Sequence, residues 1–235
     1  MKKTKIYCPD TSFLISLLEE DDNNHEKAIT EFKNIKIGEL FIPNTVAQEF
    51  IAKSSKNIRE IISVVIQEIE KSSPANLTLN QINTFINQAR KGFLKGSAPR
   101  IAKDIEKVHR YVKRIYNSPS CINNNINKKS VSSYLYLFKE DINFEYISKF
   151  DVLRVIGFKN LSTTPKAEEH VRRNLAYNNF KDLNDGIIIN EILRYALSNN
   201  EFNFYFLLFD KEFARQAKRH GRQLKCGNLV VKLIT

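Results

Sequence analysis

Short unbroken apolar runs lie at both ends of this chain, alternating with stretches where apolar residues recur every three or four positions. The first pattern suits strands buried on both faces, the second the helices that cover them. Lys5–Cys8 predicts a buried strand and Ser12–Glu20 the helix after it. His25–Asn34 carries Ala28, Ile29 and Phe32 at helical spacing. Glu39–Ile42 predicts a second strand. Thr45-Val46-Ala47-Gln48 has the form of a capping box opening a helix with Val46, Phe50 and Ile51 on its apolar face. Ile58–Glu70 predicts a further helix, ended by Ser72-Ser73-Pro74. The last third repeats the alternation, with helix at Gly186–Leu197, strand at Asn203–Phe209, helix at Phe213–His220 and strand at Leu229–Ile234.

The middle has a different texture. Leu79–Lys91 has a helical pattern, and Pro99–Tyr116 is the clearest helix in the chain. Its stripe is Ile101, Ile105, Val108, Val112 and Ile115, and Lys103, Lys107, Arg110 and Arg114 repeat that spacing on the opposite face. Asn117–Lys129 is polar and Asn-rich and predicts a loop. Val131–Phe138 and Phe144–Phe158 are apolar in a way that suits helix or strand equally, and Leu161–Lys166 is a break. No internal repeat is present. Strand–helix alternation at both ends with a helical middle predicts one α/β domain whose sheet comes from the two termini. Its core is 1–91 and 166–235, with an insertion at about 92–165.

Composition narrows the class. An apolar fraction of 42% with 27% charged residues is that of an ordinary globular protein. No apolar run is long enough to cross a bilayer, and Met1-Lys2-Lys3-Thr4-Lys5 leads into a strand, so a cytoplasmic protein without membrane attachment is expected. Three widely spaced cysteines (Cys8, Cys121, Cys226) fit neither a disulfide framework nor a thiolate zinc site, and Cys8 reads as a small buried strand residue. The net charge of +11 is concentrated. Arg90–Lys129 holds eleven Lys or Arg against Asp104 and Glu106, which is 11 − 2 = +9. A basic insertion of this kind suits a polyanion such as RNA.

Four carboxylates border apolar runs: Asp10 after Ile6–Pro9, Glu49 after Leu40–Pro43, Asp185 before Gly186-Ile187-Ile188-Ile189, and Asp210 after Phe204–Phe209. In a parallel sheet the carboxyl ends of the strands share one edge, where ligands bind. Four acids there make a site for a hard divalent cation. Each also has a structural reading. Asp10 caps a helix starting near Phe13, Glu49 lies in a first helical turn, and Asp210 is a turn acid. Asp182 and Asp185 read as an N-cap and N3 pair, which leaves open which of them faces an ion, although the Gly-Ile-Ile-Ile continuation favours Asp185. Glu19-Glu20-Asp21-Asp22 reads as a solvated helix end, and the four histidines show no pairing for metal-free RNA cleavage.

The Asp10-Thr11-Ser12-Phe13-Leu14-Ile15 opening, Pro43–Phe50, Asn184-Asp185-Gly186-Ile187-Ile188 and Leu208-Phe209-Asp210-Lys211-Glu212-Phe213 resemble, in order, the four motifs of the PIN-domain ribonucleases. The resemblance covers about 1–70 and 175–235. It implies a PIN-like parallel-stranded sheet flanked by helices, with a mainly helical insertion. It also implies that Asp10, Glu49, Asp185 and Asp210 are the catalytic, metal-holding acids and that Ser12 orients the site. The activity implied is Mg²⁺- or Mn²⁺-dependent endonucleolytic hydrolysis of RNA, leaving a 5′-phosphate and a 3′-hydroxyl. Toxin or defence nuclease is among the roles it brings, with a protein antitoxin and a second copy of the chain as partners. RNA contacts are expected from Lys103, Lys107, Arg110 and Arg114, and from a second group at Arg215, Lys218 and Arg219, with Tyr111, Tyr116 and Phe93 as base-stacking candidates. The chain departs from the family at Leu208, where many members carry Thr or Ser, and Asp185 follows Glu49 by 136 residues. A structure-specific DNA nuclease and a non-catalytic RNA-binding protein with a decayed site are the alternatives.

Overall fold

The computed structural model describes residues 3–36, 39–93, 98–118, 125–149, 153, 161–173, 180 and 182–235, with backbone alone at 92–93 and 98–100. Cys121 and the rest of 119–124 in the expected loop, the Phe93 side chain, and nearly all of 150–158 lie outside the described residues. In chain order the elements are β1 (Thr4–Pro9), α1 (Thr11–Leu18), α2 (His25–Phe32), α3 (Asn44–Lys71), β2 (Asn76–Thr78), α4 (Leu79–Phe93) and α5 (Ala98–Tyr116). Then follow β3 (Asn125–Asn127), α6 (Lys128–Ser148), α7 (Pro165–Arg173), α8 (Leu183–Ser198), β4 (Phe202–Leu208), α9 (Lys211–Gln223) and β5 (Leu229–Leu233). They form two compact units, Met1–Ile51 with Lys149–Thr235, and Ala52–Ser148.

The first unit is α/β. Its sheet is parallel in the order β1-β4-β5, with Ile6 opposite Phe204 and Pro9 opposite Leu207. Cys8, Phe204, Phe206 and Leu208 are fully buried, as expected for strands covered on both faces. Phe13 and Leu14 of α1, Val46 and Phe50 of α3, and Ile189, Ile192 and Leu193 of α8 are likewise fully buried. Each such side chain contributes about 1.5–3 kcal/mol by leaving water. The expected Glu39–Ile42 strand shrinks to one parallel bridge, Tyr7 with Leu40. It is held by Tyr7 N–H to Glu39 O (2.6 Å) and Phe41 N–H to Tyr7 O (2.9 Å). Pro43 has no N–H to continue the ladder, and α3 begins at the next residue.

The second unit is helical. Ile58, Ile61, Ile62, Val65 and Ile69 of α3 and Ile82 and Ile86 of α4 are buried. So are Ile105, Val108 and Val112 of α5 and Val131, Leu135 and Ile142 of α6. The expected helix after Thr45 and the one over Ile58–Glu70 are a single helix of 28 residues. Ser54 and Ser55, which look like a polar interruption, are small enough to be buried inside it. Two three-residue strands, β2 and β3, pair antiparallel through Leu77 and Ile126, so part of the expected Asn-rich loop is strand. Residues 128–148, undecided from pattern, are helix, with four buried residues and the exposed Tyr136, Leu137, Phe144 and Ile147. That double apolar face erases the usual helical periodicity. Among the described residues no helix is long and apolar enough to cross a membrane.

Candidate active site

Asp10 leaves β1 at the carboxyl edge of the sheet, its N–H donating to Leu207 O of β4 (2.9 Å). The carboxylate caps α1, with Oδ1 accepting the Phe13 N–H (2.7 Å) and the Ser12 hydroxyl reaching Oδ1 and Oδ2 at 3.0 and 2.8 Å. Capping alone does not require burial, yet Asp10 is only 5% exposed. Burial pushes its pKa up to about 7 against the lowering influence of the Phe13 amide and Ser12 hydroxyl, and the charges of Asp185 and Glu49 raise it further. Three of the four acids are therefore electrostatically joined.

The other acids reach this edge from helix starts. Glu49 lies half-buried in the second turn of α3, not the first turn expected, because the helix already begins at Asn44, and it accepts a 2.5 Å hydrogen bond from the Thr11 hydroxyl. Asp185 is half-buried in the first turn of α8. The cap of that helix is Asp182, exposed, accepting the Asn184 N–H at 2.8 Å. The structural role thus falls to Asp182, and Asp185 is the one whose charge acts on Asp10. Asp210 ends β4 and caps α9 through the Phe213 N–H (2.7 Å). It is exposed, and its charge is not among those that act on Asp10. Leu208, where the family pattern often has a hydroxyl, is fully buried in β4.

Two residues outside the four motif acids hold this arrangement together. Thr11, itself buried, ties Glu49 to the residue next to Asp10. Glu191 of α8 accepts the Asn44 and Thr45 N–H groups at 2.7 and 3.1 Å, one on each carboxylate oxygen. A carboxylate at a helix N-terminus is favoured by both the free amides and the helix dipole. The first amides of α3 thus donate to α8, where a local capping box was expected. This bond joins the helix bearing Glu49 to the helix bearing Asp185. Nothing in the sequence singles out Glu191, an acid 146 residues from its nearer partner.

The donor chemistry suits a hard divalent cation, since carboxylate oxygens are the ligands such ions take and Asp10 is a buried acid pressed by two neighbouring negative charges. As the side chains stand, Asp10 is turned onto Ser12 and Phe13, and Glu49 onto Thr11. Among the described residues no group of three or more His, Cys, Asp or Glu is set to hold a metal ion.

The cysteines and histidines stand outside this chemistry. Cys8 and Cys226 are buried free thiols whose pKa values burial raises, the latter to about 11. His109 is partly buried against Asn83 (3.0 Å), and burial lowers its pKa. His220 is buried, with Nε2 2.9 Å from Asn190 Oδ1. Asp22 accepts the Ser16 hydroxyl and Asn24 N–H, and Glu19 pairs with the distant Lys149, so these two acids of the run already have partners.

The basic residues are less bare than their pattern suggests. On α5, Lys107 pairs with Glu145 of α6 at 2.8 Å and lies 5.3 Å above the Tyr146 ring, and Arg110 is 3.9 Å from Glu106. The partnering acids that α5 lacks come partly from α6, 38 residues away. Lys103 and Arg114 are exposed, and Arg114 forms no ion pair among the described residues. Tyr116, a stacking candidate, is buried, its hydroxyl donating to Leu77 O. On α9, Arg215 pairs with Glu212, and Lys218 and Arg219 are exposed.

Residues 7–82 match the family model of the PIN domain. That stretch contains Asp10, Ser12 and Glu49, and Asp185 and Asp210 lie beyond it. No curated protein and no solved structure matches the chain.

Proposed function

We propose that the chain is a metal-dependent endoribonuclease of the PIN-domain family, since residues 7–82 match that family's model and its domains are generally nucleases that use divalent ions. The observation that carries this reading is the coupled trio of Asp10, Glu49 and Asp185 at the sheet edge, with Asp10 raised to about 7. Asp10 and Asp185 would hold Mg²⁺ or Mn²⁺, with Glu49 and Asp210 completing the site directly or through water. An ion bound there supplies the charge that activates a water for in-line attack on phosphorus and stabilises the leaving 3′-oxygen. The chain's own part is positional. Ser12 orients Asp10, Thr11 orients Glu49, and Glu191 sets the distance between the α3 and α8 helix starts. RNA backbone is drawn to the exposed cations of α5 and α9, which carry no base information.

A second reading, an RNA-binding protein with a decayed site, is favoured by one observation: among the described residues no three acids are set to hold an ion as the side chains stand. Asp185→Asn separates the two. Wild type and variant are compared on end-labelled RNA and DNA with Mn²⁺ or with EDTA. We expect RNA cleavage in Mn²⁺ by wild type alone, and at least a hundredfold loss in the variant. Cleavage in EDTA, or full activity of Asp185→Asn, refutes the mechanism. Preference for DNA refutes the substrate.

A further inference from the structure

We propose that the recess between α5 and α6 is a binding site for one nucleotide of a single-stranded RNA. Its phosphate would lie on Arg110 and Arg114, and its base against the stacked rings of Tyr111 and Phe138. The site lies wholly within the helical unit and is distinct from the acidic sheet edge. It deepens the ribonuclease reading and rests on it for the identity of the polymer.

Six side chains line the recess: Lys107, Arg110, Tyr111, Arg114, Phe138 and Glu145. Arg110 and Arg114 are one helical turn apart, so their guanidinium groups serve the same strip of surface. The rings of Tyr111 and Phe138 are nearly parallel, 8° apart with centroids at 4.0 Å. Tyr111 is fixed in that pose by its hydroxyl donating to Tyr134 O at 3.0 Å. A pair of half-buried parallel rings at the wall of a cationic recess is a stacking platform to which a nucleobase adds a third layer.

Size and charge narrow the ligand. The volume of about 250 Å³ falls below the roughly 300–1,000 Å³ of sites that enclose a whole small molecule. It suits a single unit of a polymer whose neighbours lie outside. Glu145, held by Lys107 at 2.8 Å, puts a carboxylate inside an otherwise cationic site. That carboxylate disfavours a bare polyanion such as an acidic peptide and favours a ligand with amide or amino donors beside its phosphate, as bases have. Duplex RNA is excluded by the same geometry, because its bases are already stacked.

Binding is measured by fluorescence anisotropy on a labelled 12-nucleotide single strand, in EDTA and in the Asp185→Asn protein, so that cleavage plays no part. Arg114→Gln is expected to weaken binding and reduce the slope of log affinity against log salt by about one. Phe138→Leu, which keeps an apolar side chain, is expected to weaken single-strand binding about tenfold without changing the salt slope, and to leave duplex binding unchanged. A Phe138→Leu affinity within twofold of the parent, or an unchanged salt slope in Arg114→Gln, overturns the proposal. Should Phe138→Leu fail to fold, photocrosslinking of a 4-thiouridine strand to the otherwise unaltered protein decides. Crosslinks within 107–114 or 138–145 support the site, and crosslinks confined elsewhere refute it. Normal binding here with no metal-dependent cleavage sinks the nuclease reading alone. Normal cleavage with binding indifferent to Phe138 and Arg114 sinks this one alone.

Discussion

Replacing Asp10 by Asn should stabilise the metal-free protein at neutral pH while abolishing its response to divalent ions. The Asp10 pKa is raised from 3.8 to about 7 in the folded chain. The difference of roughly 3 units, at about 1.4 kcal/mol each, gives a penalty of about 4 kcal/mol for keeping this carboxylate ionised. Below pH ~4 the group is protonated folded and unfolded, and the penalty is absent. Between ~4 and ~7 the unfolded chain gives up its proton and the folded chain keeps it, so stability falls as pH rises. Above ~7 the penalty is complete. Asn keeps an oxygen to accept the Phe13 N–H and Ser12 hydroxyl and has nothing to titrate. Thermal unfolding of both proteins in EDTA, across pH 4.5–8, isolates Asp10 together with its coupling to Asp185 and Glu49, because the remaining titrations cancel in the difference. The variant should be ahead by only about 2 °C at pH 4.5, where about 1 kcal/mol of the penalty is present, and by up to about 10 °C at pH 8. Adding Mn²⁺ should raise only wild type, by about 2.7 kcal/mol at a hundredfold excess over Kd. That gain should shrink as pH drops below 7, where a proton competes for Asp10. Parallel pH curves for the two proteins would refute the account of Asp10, and equal stabilisation by Mn²⁺ would remove it from the ion site.

Two further substitutions separate structural from functional acids. Asp182→Ala removes the α8 cap and should cost about 1 kcal/mol in urea unfolding with nuclease activity within twofold, since Asp182 is an exposed cap; a large activity loss would return the ion-facing role to Asp182. Glu191→Gln keeps one acceptor for the α3 amides and loses the charge, so it should lower stability by about 1–2 kcal/mol. Its kcat should fall while KM for RNA is unchanged, because Glu49 is displaced and the basic surfaces are not. A rise in KM at constant kcat would show that Glu191 does not act through Glu49.

The parallel sheet and its flanking helices were legible because strands buried on both faces are written as short apolar runs, and Phe204 to Leu208 is such a run. Elements resting on few residues were not. β2 and β3 each bury one side chain, Leu77 and Ile126, and α7 buries only Ala167 and Val171. No periodicity develops over so short a span. Helix α6 was ambiguous for the opposite reason, having apolar residues on two faces. At the candidate site, local sequence predicts what local sequence makes. Ser12 bonding Asp10, Asp10 capping near Phe13 and Asp182 as a cap are all contacts within three residues. Thr11 to Glu49 and Glu191 to Asn44 span 38 and 147 residues, and such pairs emerge only when the fold brings distant helices together.

The structural and functional readings of these acids stop competing once burial is considered. A helix cap needs only an acceptor near free amides, which an exposed Asp182 or Asp210 supplies at little electrostatic cost. Asp10 does the same job almost wholly out of water, beside two acids whose charge raises its pKa further. A cap selected for stability alone would be better served there by Asn or Ser, which carry no charge to desolvate. On the proposed metal-dependent reading, that excess cost is offset by the ion that Asp10 would hold. The same test ranks the others. Asp185 and Glu49 contribute charge to a buried neighbour and leave amide capping to Asp182 and Glu191. Asp210 caps in solvent and contributes no charge to Asp10. Of the four motif acids it is therefore the one whose loss the mechanism should tolerate best, and the one whose structural role is sufficient to explain it.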